Sequence, residues 1–228
     1  MAEKISTARP RLVRPTAVAI GLLVAIVLVS AAVRIAVDWP NILAGTEPTE
    51  NDFARRYVAH PWLAYVHIAP GLVYLLGAPL QLSRRFRTRH YNFHRRLGRV
   101  LLTCALISGL FALFFGVPYA WAGAPEAVAT VVFGCWFLVC LVLAFRAIRG
   151  DDVRQHRRWM IRAFAVAIGI GTIRIWVGIF EGVEQATSGG TSPGEPDPTM
   201  FGIAFWLAFT MHVAVGEWWL RRTPALTG

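Results

Sequence analysis

Apolar residues in this chain fall in six runs separated by short polar segments. The runs predict helices at Ala17–Val37, Pro61–Leu82, Leu97–Val117, Ala127–Phe145, Trp159–Phe180 and Phe201–Leu220. Each is about 19–22 residues, close to the ~20 that a helix needs to cross a hydrocarbon core of about 30 Å. Inside that core no water is present to bond the backbone, so long apolar runs become helices. The expected fold class is all-α: a polytopic bundle of six transmembrane helices making one domain over residues 1–228. A basic tail at 1–16 precedes the first span. The acidic, Gly/Ser/Pro-rich stretch 182–200 is expected to be a flexible external loop.

Composition supports the same class. Hydrophobic residues make up 56% and charged residues 16%, against roughly 25% charged in a soluble domain. That argues against a soluble globule, and a disordered chain is excluded. The first span is too long for the apolar core of a secretory signal, so it is expected to stay as a membrane helix.

Charge then sets the direction of threading. Net charge is +10, from 22 Arg and one Lys against 13 acids. All but four of the cations (Arg34, Arg55, Arg56 and Arg174) lie in the N-terminal tail, in Arg84–Arg99, in Arg146–Arg162 or at Arg221 and Arg222. Those segments share one side of the membrane, and most of the acids fall on the other. By the positive-inside rule both termini are cytoplasmic. The basic charge is thus a topology signal, and no nucleic acid is implied. It also favours anionic lipid headgroups at the cytoplasmic loops. The expected location is a bacterial inner membrane. Cys104, Cys135 and Cys140 all sit within apolar runs, which argues against a disulfide framework.

A shift of 62 residues aligns the second and third spans with the fourth and fifth. Arg84 meets Arg146, Arg87 meets Arg149, and His94-Arg95-Arg96 meets His156-Arg157-Arg158. Ala105, Gly109 and Gly116 meet Ala167, Gly171 and Gly178. Both units run from outside to inside and back, so a duplication would be parallel. Basic loops and small-residue helices also resemble one another without common origin. The small residues predict close helix packing.

Polar residues within the spans are costly and tend to be functional. His67 lies six residues past Pro61, about 9 Å below the outer end. His212 lies eleven residues past Phe201, about 16 Å down. Each could bond a neighbouring helix, or the two could be axial ligands of a b-type haem. His94 and His156 begin the third and fifth helices. They supply either interfacial charge or a second haem ligand pair. Arg34 has Asp38 at i+4 and can pair on its own helix. Arg174 has Glu181 two turns away, or serves as a clamp for an anion or a haem propionate. His60 and His90 are expected in solvent. No phosphate loop, dinucleotide fingerprint, zinc motif or nucleophile elbow is present, and no catalytic residue is identified.

Two resemblances follow. His67, Gly71, Gly77-Ala78-Pro79-Leu80-Gln81, His94-Arg95-Arg96-Leu97-Gly98-Arg99, Ser108-Gly109, Gly150-Asp151 and His156-Arg157-Arg158-Trp159-Met160-Ile161-Arg162 resemble the bacterial membrane-protein family catalogued as domain of unknown function 2306. It implies an integral membrane protein and carries no catalytic residue across. A fainter similarity to cytochrome b561-like proteins implies His67 with His212, and His94 with His156, as haem b ligands, with quinone or a redox protein as partner. Three functions stay open: electron transfer through haem b, a transporter-like protein without cofactor, and an assembly or scaffold subunit.

Overall fold

The computed structural model describes residues 13–46, 52–187 and 197–223. The tail expected at 1–16 lies almost wholly outside them, as do residues 188–196 of the expected external loop. Every element among the described residues is a helix. Six of them are long and apolar enough to cross a membrane. In order they are α1 (Val13–Ala44), the short α2 (Asp52–Ala59), α3 (Pro61–Leu82), the short α4 (Arg84–Arg89), α5 (Tyr91–Gly116), α6 (Ala124–Arg149), α7 (Val153–Thr187) and α8 (Pro198–Arg222).

The helices overrun the apolar runs at nearly every end, because the helix does not stop where the bilayer does. α5 begins six residues before Leu97, and α7 begins six before Trp159. His94 and His156, which precede the apolar runs, therefore lie within the first turns of α5 and α7. α7 also runs on to Thr187, so the segment from Gly182 to Thr187, expected in a loop, is helical. α3 starts and ends where the sequence indicates. Pro61 opens it at a position that needs no N–H donor. Ser83 ends it and caps α4, its Oγ accepting from the Phe86 N–H.

α3, α5, α6 and α7 stand in a ring in that order, and α3 touches α7 only lightly. α1 lies along the seam between α3 and α7, and α8 packs on α6 and α7. Close approach depends on small residues. A Cβ on Gly171 would meet the Leu23 carbonyl oxygen at 2.9 Å, so α1 crosses α7 backbone to backbone there. Gly109 and Gly116, from the same aligned set, lie against Phe137 and Thr130 of α6, whereas Gly178 faces open space. The floor of the ring is tightly packed: Tyr74, Cys140 and Leu141 are among its fully buried side chains. The three cysteines are free thiols.

The two aligned units differ at their turns. α3 breaks at Ser83 and α4 intervenes before α5, whereas α6 continues as one helix to Arg149 and turns directly into α7. Asp151 makes that turn at φ 58°.

Candidate functional site

A cavity of about 250 Å³ opens inside the ring, toward the end that carries α2. That end is predicted external. Tyr74 lies thirteen residues along α3 from Pro61, so at 1.5 Å per residue the cavity reaches about 20 Å into the bundle. Its wall is mainly apolar and aromatic, with Phe115, Phe133, Phe137, Phe201, Phe205 and Phe209 contributing rings. A few polar groups interrupt that wall, the usual makeup of a small-molecule site.

Three arginines converge at its mouth: Arg34 from α1, Arg56 from α2 and Arg174 from α7. Two are neutralised. Arg34 pairs with Asp38 on its own helix. Asp38 is fully buried and also accepts from the Tyr65 hydroxyl at 2.9 Å. Arg56 donates from Nη1 to Glu126 Oε1 at 2.9 Å and to the Tyr119 carbonyl at 3.0 Å. Glu126, 3% exposed, uses its other oxygen to accept from the Ala122 N–H at 2.8 Å. Aromatic faces surround the Arg56 guanidinium, with Phe53 at 4.5 Å and Tyr57 at 5.2 Å, which suits its delocalised charge.

Arg174 is different. Glu181, its expected partner, does not pair with it. Among the described residues no carboxylate lies within 4 Å of Arg174, and its guanidinium makes no hydrogen bond. One positive charge is left over at the mouth of an apolar cavity. A charge in that setting is expensive unless paired.

Deeper in, His67 is fixed by Ser108. Its Nδ1 lies 2.9 Å from the Ser108 carbonyl oxygen. A carbonyl only accepts, so Nδ1 carries a proton, and in the neutral imidazole Nε2 keeps its lone pair. His67 lines the cavity. Ser108 Oγ donates in return to the His67 carbonyl at 2.8 Å. Two further hydroxyls among the lining residues, Thr130 Oγ1 and Tyr74 OH, are buried without a hydrogen-bond partner. Orphaned buried hydroxyls are rare in folded proteins.

The structure thus brings His67 and Arg174 to one space and places the other expected residues elsewhere. His212 Nε2 lies 2.6 Å from Thr172 Oγ1, between α8 and α7. Thr172 is two residues from both Ile170 and Arg174, hence on the far side of α7 from the cavity. Neither His212 nor Thr172 is among the residues that line the cavity where His67 sits. His94 and His156 do approach each other, at the opposite end of the bundle. There His156 Nδ1 donates to the Ala144 carbonyl at 2.9 Å. Arg56, Tyr57, Tyr74, Ser108, Glu126 and Thr130 were not legible as site residues. For Arg56 a signal exists: Arg55-Arg56 is a basic pair in a segment that the charge pattern assigns to the acidic side.

The molecule is a polytopic helical membrane protein with a charged-mouth cavity enclosed by its helices. Residues 64–220 match the family described as predicted membrane protein DUF2306, and the chain belongs to that family. No curated protein and no solved structure matches it.

Proposed function

We propose that this integral membrane protein binds, and is built to move, an amphiphilic anion in a bacterial inner membrane. The single observation that carries the reading is Arg174, unpaired at the mouth of the cavity while Arg34 and Arg56 beside it each hold a carboxylate. An acidic head would supply the missing charge, and Arg is suited to hold a carboxylate by two parallel hydrogen bonds. The apolar body would fill the phenylalanine-lined depth. Nε2 of His67 and the hydroxyls of Thr130 and Tyr74 would meet a polar group along that body. Such a molecule enters from the lipid or from the α2 end without crossing the packed floor.

The test uses decanoate and decanol, which share a body and differ in charge. Binding to the detergent-purified protein is measured by isothermal titration calorimetry. Decanoate binds and decanol does not, and Arg174→Gln weakens decanoate about ten-fold or more, the factor that one charge-assisted hydrogen bond commands. Equal binding of acid and alcohol, or an indifferent Arg174→Gln variant, would refute the reading.

A second reading keeps haem b, with electron exchange through quinone or a redox protein. His67 supports it: ligating histidines characteristically donate their other ring N–H to a carbonyl. At the cavity it then rests on one axial imidazole in place of two, because His212 bonds Thr172. The cavity is also below the ~300–1,000 Å³ typical of drug-sized ligands, and a porphyrin is larger still. A reduced-minus-oxidised spectrum of protein from haem-supplied cells decides it. A b-type signal lost in His67→Ala supports haem, and colourless protein retires it.

A further inference from the structure

The opposite end of the bundle holds a second group of buried polar atoms without partners. The floor formed by Tyr74, Leu101, Cys140 and Leu141 separates it from the cavity. Arg87, on α4, reaches back over the end of α3. Its Nη1 donates to the Leu82 carbonyl at 3.1 Å and to the Gln81 carbonyl at 3.4 Å.

That contact breaks the correspondence between the two aligned units. In the second unit His156 Nδ1 donates to the Ala144 carbonyl. A shift of 62 places Leu82 opposite Ala144 and His94 opposite His156. In the first unit, however, Arg87 has taken the Leu82 carbonyl, and His94 Nδ1 is buried with no partner. Gln81 Nε2 is also buried without an acceptor. The Gln81 side chain lies over Gly98, one turn beyond His94 on α5.

Charge gathers around these atoms. Arg157, at the start of α7, and Arg84 both repel Arg87. Burial first, and these two charges after it, push the Arg87 guanidinium below its ordinary range. His94 lies in the field of Arg87 and of His156. Among the described residues no carboxylate pairs with Arg84, Arg87 or Arg157. Asp152 caps the start of α7, its Oδ1 accepting from the Gln155 N–H at 2.9 Å. Positive charge at this face needs no ligand to explain it, and the exposed Arg85, Arg89, Arg95, Arg96 and Arg99 provide it. Arg87, Arg157, Gln81 and His94 are instead half-buried, with Arg157 and His94 both in the field of Arg87. Buried donors without acceptors, and cations forced together without a counter-charge, both call for an anion.

We propose that this group of side chains, drawn from the end of α3, α4 and the first turns of α5 and α7, binds a phosphate group through Arg87, Arg157, Gln81 and His94. The phosphate is either free or the head of an anionic phospholipid. The assignment is independent of the cavity and of what it binds.

The full-length protein in detergent tests it by thermal unfolding. One arm adds inorganic phosphate, a second adds phosphatidylglycerol in mixed micelles, and phosphatidylcholine is the reference. Protection by inorganic phosphate assigns a free phosphate. Protection by phosphatidylglycerol alone assigns a lipid head. In either case Arg157→Gln weakens the protecting ligand about ten-fold or more. The pair Arg85→Gln and Arg89→Gln, which removes more charge from the same face, leaves it unchanged. Gln81→Leu supplies a variant that alters no charge. It raises stability without ligand, by removing an orphaned donor, and lowers affinity for the ligand. A purely structural glutamine would not give those opposite signs. No protection in either arm overturns the proposal, as does equal loss in the Arg85/Arg89 pair.

Discussion

His67 and Ser108 bind each other twice, in opposite senses. The His67 imidazole donates to the Ser108 carbonyl over 2.9 Å, and the Ser108 hydroxyl donates to the His67 carbonyl over 2.8 Å. The pair latches α3 to α5 at the depth of the cavity. It also fixes which ring nitrogen of His67 can meet a ligand. Because the acceptor of the imidazole is main chain, substitution of Ser108 removes one bond and leaves the tautomer intact.

The latch needs Gly71. A Cβ there would stand 2.7 Å from Ser108 Oγ. Ser108→Ala is expected to cost about 0.5–1.5 kcal/mol, one hydrogen bond. Gly71→Ala is expected to cost about 1–3 kcal/mol through overpacking. Combined, the two should cost less than their sum, since removing the hydroxyl clears the space the new methyl enters. Thermal unfolding of the three variants checks this. A strictly additive double variant would show that Gly71 is not there to admit the hydroxyl.

Glu126 carries the other polar join at the mouth. It is buried and neutralises Arg56 while accepting from the main chain of Ala122. Glu126→Gln keeps the shape and removes the charge, leaving Arg56 unpaired among aromatic rings. Breaking a buried pair from one side costs about 3–5 kcal/mol. The expected result is a large drop in melting temperature. Arg56→Met/Glu126→Leu, which removes both charges, should recover much of it. A single variant as stable as the parent would mean that water already reaches Arg56.

What the sequence disclosed depends on the range of the interactions involved. The spans were legible because burial in lipid demands a run of about twenty apolar residues whatever the helices pack against. Arg34–Asp38 was legible for the same local reason, being one helical turn apart. The partners of His67, Arg56 and His212 were not. Ser108 is 41 residues from His67, Glu126 is 70 from Arg56, and Thr172 is 40 from His212. Depth along a helix can be counted from sequence, but the side of a neighbouring helix that it meets cannot. Counting depth suggested His67 and His212 as a pair; His67 lines the cavity, and His212 meets Thr172 outside its lining. α2 was invisible because eight residues with two arginines carry no apolar run, although its Phe53 and Tyr57 line the cavity.

α1 is the most lipid-exposed of the spans, and its hold on the bundle centres on α7. Gly171 meets the Leu23 carbonyl at main-chain distance, so a side chain there has no flexible neighbour to push aside. Gly171→Val is expected to destabilise the protein by about 1–3 kcal/mol and to loosen α1 selectively. Gly178→Val, on the same helix with open space around it, should be near neutral. Thermal unfolding and proteolysis of α1 in detergent distinguish the two. Equal effects at both positions would trace the loss to the helix itself instead of the crossing.

Orientation follows from the arginines and can be read directly. Ala124 and Gln155 are exposed at opposite ends of the α6–α7 pair. The positive-inside rule places Gln155 in the cytoplasm, among Arg146 to Arg162, and Ala124 outside. In a background with Cys104, Cys135 and Cys140 replaced by Ala, Ala124→Cys should react with a membrane-impermeant maleimide on intact cells. Gln155→Cys should react only after permeabilisation. The reverse pattern would put the Arg174 cavity on the cytoplasmic side and the Arg87 group outside. The route proposed for an amphiphilic anion would then start from the cytoplasm. The basic pair Arg55-Arg56 makes this a real contest, because it sits on the side assigned as external. Its charge is partly cancelled in place, Arg56 by Glu126 and Arg55 by Asp52 at 2.8 Å. The unpaired arginines that remain are concentrated at the other end, and they should decide the threading.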